Sequence, residues 1–297
     1  MAVETSQGAA STPPVPPKPP KFPWGALLIL VAGAALWVST GGSRAGPALG
    51  FGAMLVVVGF FAYIVAPIRL RNTYWLARTP EIRAIDLDAS DTPSVSAGHK
   101  AMAEALGPLG FVDLGHYALE GSAPNILASV GVFDNASGRT VARWFHFKTP
   151  KGIETILGFT TRFADGTEVT TGNARVATSA PPPRTTRGYP FPGVDDPARL
   201  LALHRRALAE VGEFSSSVPL LDGGPVAFLA RSITEGSDHL VKIGEFRPDG
   251  ASGRIRPTFK GAFLMACRQF WPWGPIRRAL RRRRAARRLR AWEIPAR

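Results

Sequence analysis

Two stretches free of charged side chains, 22–43 and 45–68, follow one another near the N-terminus with only Arg44 between them. A helix crossing about 30 Å of hydrocarbon needs roughly 20 apolar residues. The second stretch meets that length through Met54, Leu55, Val56, Val57, Val58, Phe60 and Phe61. The first reaches it when its flanks are included, with Trp24 and Trp37 as interfacial aromatics. Thr40–Pro47 between them is a polar, glycine-rich turn. The pattern predicts a transmembrane helical hairpin over 24–70, with spans at about 24–40 and 48–68. A cleaved signal peptide fits less well, because the preceding segment is long and Pro-rich and a second span follows at once.

Orientation follows from the flanking cations. Lys18 and Lys21 precede the first span, and Arg69, Arg71, Arg78 and Arg83 follow the second. The positive-inside rule then predicts an integral protein of the inner or plasma membrane with both termini cytoplasmic. Residues 1–23 contain Pro13–Pro23, a proline-dense run that favours polyproline II and predicts a disordered spacer or a ligand for an unknown protein partner.

The formal net charge of +14 is unevenly distributed. Basic and acidic residues nearly cancel between Arg71 and Cys267, whereas eleven arginines face Glu293 alone between Arg268 and Arg297. Basicity is therefore a property of the C-terminal segment. Cys267 is the one cysteine, which excludes an internal disulfide and any cysteine-based zinc site.

The soluble part is expected over 86–256. A short helix is predicted at Ala97–Leu106, then strands at Gly110–Leu119, Asn125–Phe133, Arg139–Lys148, Ile153–Phe163 and Thr167–Asn173. Asp165-Gly166 between two β-prone runs is a strong hairpin signal, since both turn residues must take positive φ. The segment 180–192 reads as an irregular connection. Asp196 with Pro197 marks a helix start for a helix reaching about Glu210, and a second helix is expected at Pro225–Ile243. The predicted fold class is α+β: the hairpin, then an antiparallel β-meander with flanking helices.

Five histidines (His99, His116, His146, His204 and His239) lack metal-ligand spacing, and none adjoins a nucleophile motif. His204 has the helical spacing of a packed residue. No catalytic, cofactor-binding or metal-binding residue is predicted and no cofactor is expected. Asp86, Asp88 and Asp91 lack the glycine and distal glutamate of a calcium loop.

The C-terminal segment, 258–297, carries the strongest functional signal. Lys260–Trp271 puts Phe263, Ala266, Cys267, Phe270 and Trp271 on one helical face, and Trp273 adds an interfacial ring. Arg277, Arg278, Arg281, Arg282, Arg283, Arg284, Arg287 and Arg288 follow. This predicts a membrane-surface segment whose partner is the lipid bilayer with its anionic headgroups, each cation contributing about 1 kcal/mol. Nucleic acid would attract the same arginines, but tethering by the hairpin favours lipid. The expected function is a membrane-anchored cytoplasmic module for binding, scaffolding or sensing. The alternatives are a membrane-tethered enzyme acting on a lipid or small molecule near His146, and nucleic-acid tethering through the arginines.

Overall fold

The computed structural model describes residues 59, 61–88, 93–124, 126–149, 152–175, 181–212, 216–250, 252–269 and 273–292. The Pro-rich tail, the first predicted span and most of the second lie outside these residues, as do Phe270 and Trp271. Among the described residues no helix is long and apolar enough to cross a membrane. The chain divides into two units, Met1–Phe60 and Phe61–Arg297, and the description that follows concerns the second.

That unit is α+β. A π-helical turn, Phe61–Val65, leads into α1 (Ala66–Thr73), then β1 (Leu76–Ala77), β2 (Glu81–Ile85) and α2 (Pro93–Leu106). Five long or medium strands follow: β3 (Phe111–Ala123), β4 (Ile126–Asn135), β5 (Thr140–Thr149), β6 (Gly152–Phe163) and β7 (Glu168–Gly172). Then come β8 (Thr186–Pro190), α3 (Pro197–Val211), β9 (Ser217–Val218) and α4 (Gly224–Lys242). The chain continues through β10 (Phe246–Pro248), β11 (Arg254–Pro257), α5 (Phe259–Gln269) and α6 (Trp273–Ala291).

Strands β2 to β8 form one sheet in sequence order. The pairs from β2 to β7 are antiparallel, so the expected meander is present, but β8 joins β7 in parallel and the sheet is mixed. The strand β8 lies within the proline-rich 180–192 connection and β2 within the segment that follows the predicted second span, and neither was expected from the sequence. Both are edge strands, where few side chains are buried and the period-2 signal fades. The strands β1, β11 and β10, in that order, pair as a second, three-stranded antiparallel sheet.

Helices cover both faces of the large sheet. On one side Phe133, Ala142, Trp144, Leu157 and Phe159 pack with Leu200, Leu201 and Leu208 of α3. On the other, Val130, Val132 and Val141 meet Phe228 and Leu229 of α4. The start of α3 is fixed as expected: Asp196 accepts hydrogen bonds from the N–H groups of Ala198 and Arg199, worth about 1 kcal/mol, with Pro197 at the first helical position.

The packed unit does not stop at residue 256. A third cluster joins Leu240, Phe246, Ile255 and Met265 of α5 to Leu70 and Tyr74. Helix α6 returns to the main core, where Ala285 is buried and Leu289 and Trp292 pack beside it. The C-terminal segment is thus partly structural, for a reason a helical projection alone does not reveal: Ala262, Met265, Ala266 and Ala285 face the protein while Phe259, Phe263 and Trp273 turn out.

Candidate functional site

Three arrangements carry chemistry. The first is the C-terminal platform. In α5 the buried residues are Gly261, Ala262, Met265 and Ala266, whereas Phe259 and Phe263 are exposed. The single apolar face predicted from Phe263, Ala266 and Cys267 is therefore split: Ala266 packs inward, Cys267 is half-buried and Phe263 faces out. The Tyr63 and Phe263 rings lie 6.2 Å apart, which sets α5 beside the helical turns leading into α1. Ile64, Ile68, Trp273, Ile276 and Leu280 are also exposed. Arg277, Arg278, Arg282, Arg283, Arg284 and Arg287 point to solvent and Arg281 is half-buried. Arg288 instead sits over the Tyr189 ring at 4.8 Å and is engaged with the domain.

The second arrangement is a buried hydrogen-bond chain that spacing along the sequence does not announce. A register shift in β3 falls between Asp113 and His116 and brings both side chains to the α2 face; bulges re-aim side chains in this way. Gly115, at φ +108, makes the bend, and its N–H donates to Asp113 Oδ1. Asp113 Oδ2 then lies 2.7 Å from His99 Nε2. His99 Nδ1 is 3.1 Å from His116 Nδ1, and His116 Nε2 is 2.8 Å from Ser129 Oγ.

Burial, with the neighbouring His99 and His146, lowers the His116 pKa to about 4, so this ring is neutral at neutral pH. The four side chains thus form one continuous hydrogen-bonded chain from Asp113 to Ser129. Ser129 sits in mid-strand with its neighbours paired to both β3 and β5. The backbone around it is engaged in the sheet, and the chain orders the core where α2 meets β3 and β4. Trp144 packs on His99, His116 and His146 and also lines a cleft of about 310 Å³ with Met102, Thr155 and Asn173. His146 is buried, and its Nε2 has no hydrogen-bond partner among the described residues.

The third arrangement is a pocket of about 790 Å³ between α3 and the beginnings of β3 and β5. Leu109, Phe111, Leu201 and Leu208 form its apolar wall, Thr140 and His204 its polar part, and the exposed Arg205 also lines it. His204 is fully buried, as its helical spacing predicted, and bridges Thr161 (3.0 Å) and Thr171 (2.9 Å). Thr161 in turn meets Thr140 at 2.8 Å. These threonines lie on β5, β6 and β7, and only the strand register brings them under α3.

Among the described residues no group of His, Cys, Asp and Glu is arranged to hold a metal. Comparison with protein-family models, curated proteins and solved structures gives no match, so the functional reading rests on these residues themselves.

Proposed function

We propose that this chain is a membrane-anchored binding module. In this reading 24–40 and 48–68 cross the bilayer as a hairpin, both termini are cytoplasmic, and the folded unit rests on the anionic leaflet through α1, α5 and the first half of α6. One observation carries the proposal. The helical turns that continue the charge-free stretch, marked by Ile64 and Ile68, lie beside α5, and the exposed Phe259 and Phe263 are on that same helix. Trp273, Ile276 and Leu280 of α6 extend the apolar surface, and the exposed arginines begin at Arg277. Apolar side chains next to a run of cations match a headgroup layer over anionic lipid.

The experiment places an environment-sensitive fluorophore at Ile276→Cys in a Cys267→Ala background, with the full chain in lipid nanodiscs. Lipid-borne quenchers should quench it on anionic discs, less on neutral discs, and little once Arg277, Arg278 and Arg281 to Arg284 are glutamine. Equal quenching on both lipids would mean an apolar contact without headgroup recognition. Absence of quenching, with protection by added nucleic acid instead, would transfer the arginines to the nucleic-acid reading. Reporters fused at Arg44 and after Arg83 should report opposite sides of the membrane, and an external position for the second fusion would remove the hairpin.

A further inference from the structure

The pocket beside His204 is not part of the platform, and its chemistry can be worked out from proton counting. Thr171, His204, Thr161 and Thr140 form a linear chain of three hydrogen bonds. Burial, reinforced by the charge of Arg205, lowers the His204 pKa to about 3, so its ring is neutral and carries one N–H. Three hydroxyls and one N–H supply four protons for three bonds, which leaves one proton at an end of the chain.

There are two polarities. If Thr140 donates to Thr161, then Thr161 donates to His204 Nε2, Nδ1–H donates to Thr171, and the spare proton is on Thr171. Thr171 and Thr140 are both buried, at 2 % and 3 % exposure, but Thr171 does not line the pocket and among the described residues its one partner is His204. A buried donor without an acceptor is costly. In the opposite polarity Thr171 donates to Nδ1, Nε2–H donates to Thr161, Thr161 donates to Thr140, and the spare O–H belongs to Thr140 at the pocket wall. The second polarity therefore prevails. The buried chain delivers one oriented O–H donor into a cavity with Leu109, Phe111, Leu201 and Leu208 on its apolar side and Asn135 and Arg205 among its polar lining.

Arg205 adds a cation. It is exposed and lines the same pocket; among the described residues it has no ion-pair partner and no acidic side chain lines the cavity. The volume is that of a small-molecule site, with apolar walls and few polar fixing points. We infer that this pocket binds an anionic amphiphile: its apolar body lies against Phe111, Leu201 and Leu208, an oxygen of its head accepts from Thr140, and the charge pairs with Arg205. The shared chemistry is an acyl chain with a carboxylate or phosphate head, supplied either free or from the bilayer. The inference does not depend on how the unit meets the leaflet.

The test uses the full chain in nanodiscs and two photoreactive probes, a diazirine-bearing dodecanoate added from solution and a diazirine-bearing phosphatidic acid built into the disc. Cross-linked residues are mapped by mass spectrometry. Dodecanoate labelling within 201–212, competed by unlabelled dodecanoate but not by dodecanol, identifies a free amphiphile; labelling of the same segment by the lipid identifies a membrane source. Ala209→Trp changes an exposed lining residue and should block the mouth, lowering labelling about tenfold or more, and Arg205→Glu should lower it about tenfold. Thr140→Val should weaken labelling while a melting curve reports whether the fold survives. Labelling absent from this segment with both probes, or unchanged in both the Ala209→Trp and Arg205→Glu chains, overturns the inference. The membrane reading would be untouched, because its fluorophore sits on α6.

Discussion

His99 lies directly over Gly131: a Cβ at position 131 would stand 2.7 Å from His99 Nδ1 and 3.2 Å from Phe133 Cε2. Nδ1 is the atom that meets His116 Nδ1 at 3.1 Å, so the missing side chain on β4 makes room for the joint of the buried chain. Gly98, one residue before His99, gives a second close approach, its Cβ position lying 2.8 Å from Trp144 Cη2. Helix α2 can sit this low on the sheet only because both positions are bare.

Gly131→Ala should therefore destabilise the fold by about 1–3 kcal/mol, the usual cost of overpacking a filled core. Gly98→Ala is the informative comparison, because alanine gains about 1 kcal/mol of helix propensity and offsets part of its clash. Thermal melts of the two variants should show the larger loss at position 131. Equal, negligible losses would mean that α2 shifts freely and that the buried chain does not constrain it.

The buried histidines make stability acid-sensitive. His116 and His204 are held at about 4 and about 3, by burial first and second by the neighbouring His99 and His146 in the one case and Arg205 in the other. The unfolded chain takes up protons near the ordinary imidazole value of about 6.5, while the folded chain resists until far lower pH. Their contribution is thus complete above pH 6.5 and is lost as the pH falls toward 4, at up to about 1.4 kcal/mol per pH unit for each histidine. Melting measured from pH 7.5 to 4.5 should drop steeply, and His204→Gln should start lower but lose less per pH unit. A flat profile would mean that water reaches both rings.

Much of this was legible in the sequence, and the misses have physical causes. Hairpin chemistry at Asp165-Gly166 and the Asp196-Pro197 cap announced β6, β7 and α3, because local backbone preference and final structure agree there. The buried chain was invisible, since Asp113 and His116 would alternate faces in a regular strand and only the bulge at Gly115 aligns them. The pocket was equally hidden, because Thr140, Thr161 and Thr171 meet His204 through sheet register and no short motif records that. On α5 the apolar stripe was visible, but which part of it packs inward depends on a partner surface distant in sequence.

Glu245 and Arg268 separate the structural role of α5 from the exposed arginines of α6. Arg268 donates two hydrogen bonds to the buried Glu245 carboxylate, at 2.6 and 2.7 Å. The N–H of Thr258 donates to the Glu245 carbonyl, and a Cβ on Gly261 would overlap that same carbonyl. Arg268→Met leaves a buried carboxylate uncompensated and should cost about 3–5 kcal/mol. Changing Arg282, Arg283 and Arg284 to glutamine should each stay within about 0.5 kcal/mol. Denaturation of the two sets should differ by that margin; comparable losses would place the α6 arginines in the fold rather than at a surface.

The last expectation concerns where the folded unit ends. Fragment 86–256 contains the large sheet with α2, α3 and α4, except for its edge strand β2, but lacks β1, α5 and α6. Its third cluster would lose Leu70, Tyr74 and Met265, uncovering Leu240, Phe246 and Ile255. Its main core would lose Ala285, Leu289 and Trp292. Trp292 packs against Tyr189 and Phe191 at 6.1 and 5.6 Å and donates from Nε1 to Glu210, which ties the end of α6 to the edge strand β8. Each large apolar side chain returned to water costs about 1.5–3 kcal/mol, and a few such losses consume the 5–15 kcal/mol that holds a typical domain. Fragment 86–256 should accordingly show no cooperative melting transition, whereas fragment 61–297 should melt as one unit. Trp292→Ala in that longer fragment should lose about 2 kcal/mol, since the indole is only half-buried. A sharp transition in 86–256 at the same temperature as in 61–297 would show that α5 and α6 add nothing to the core and leave their apolar side chains wholly to another surface.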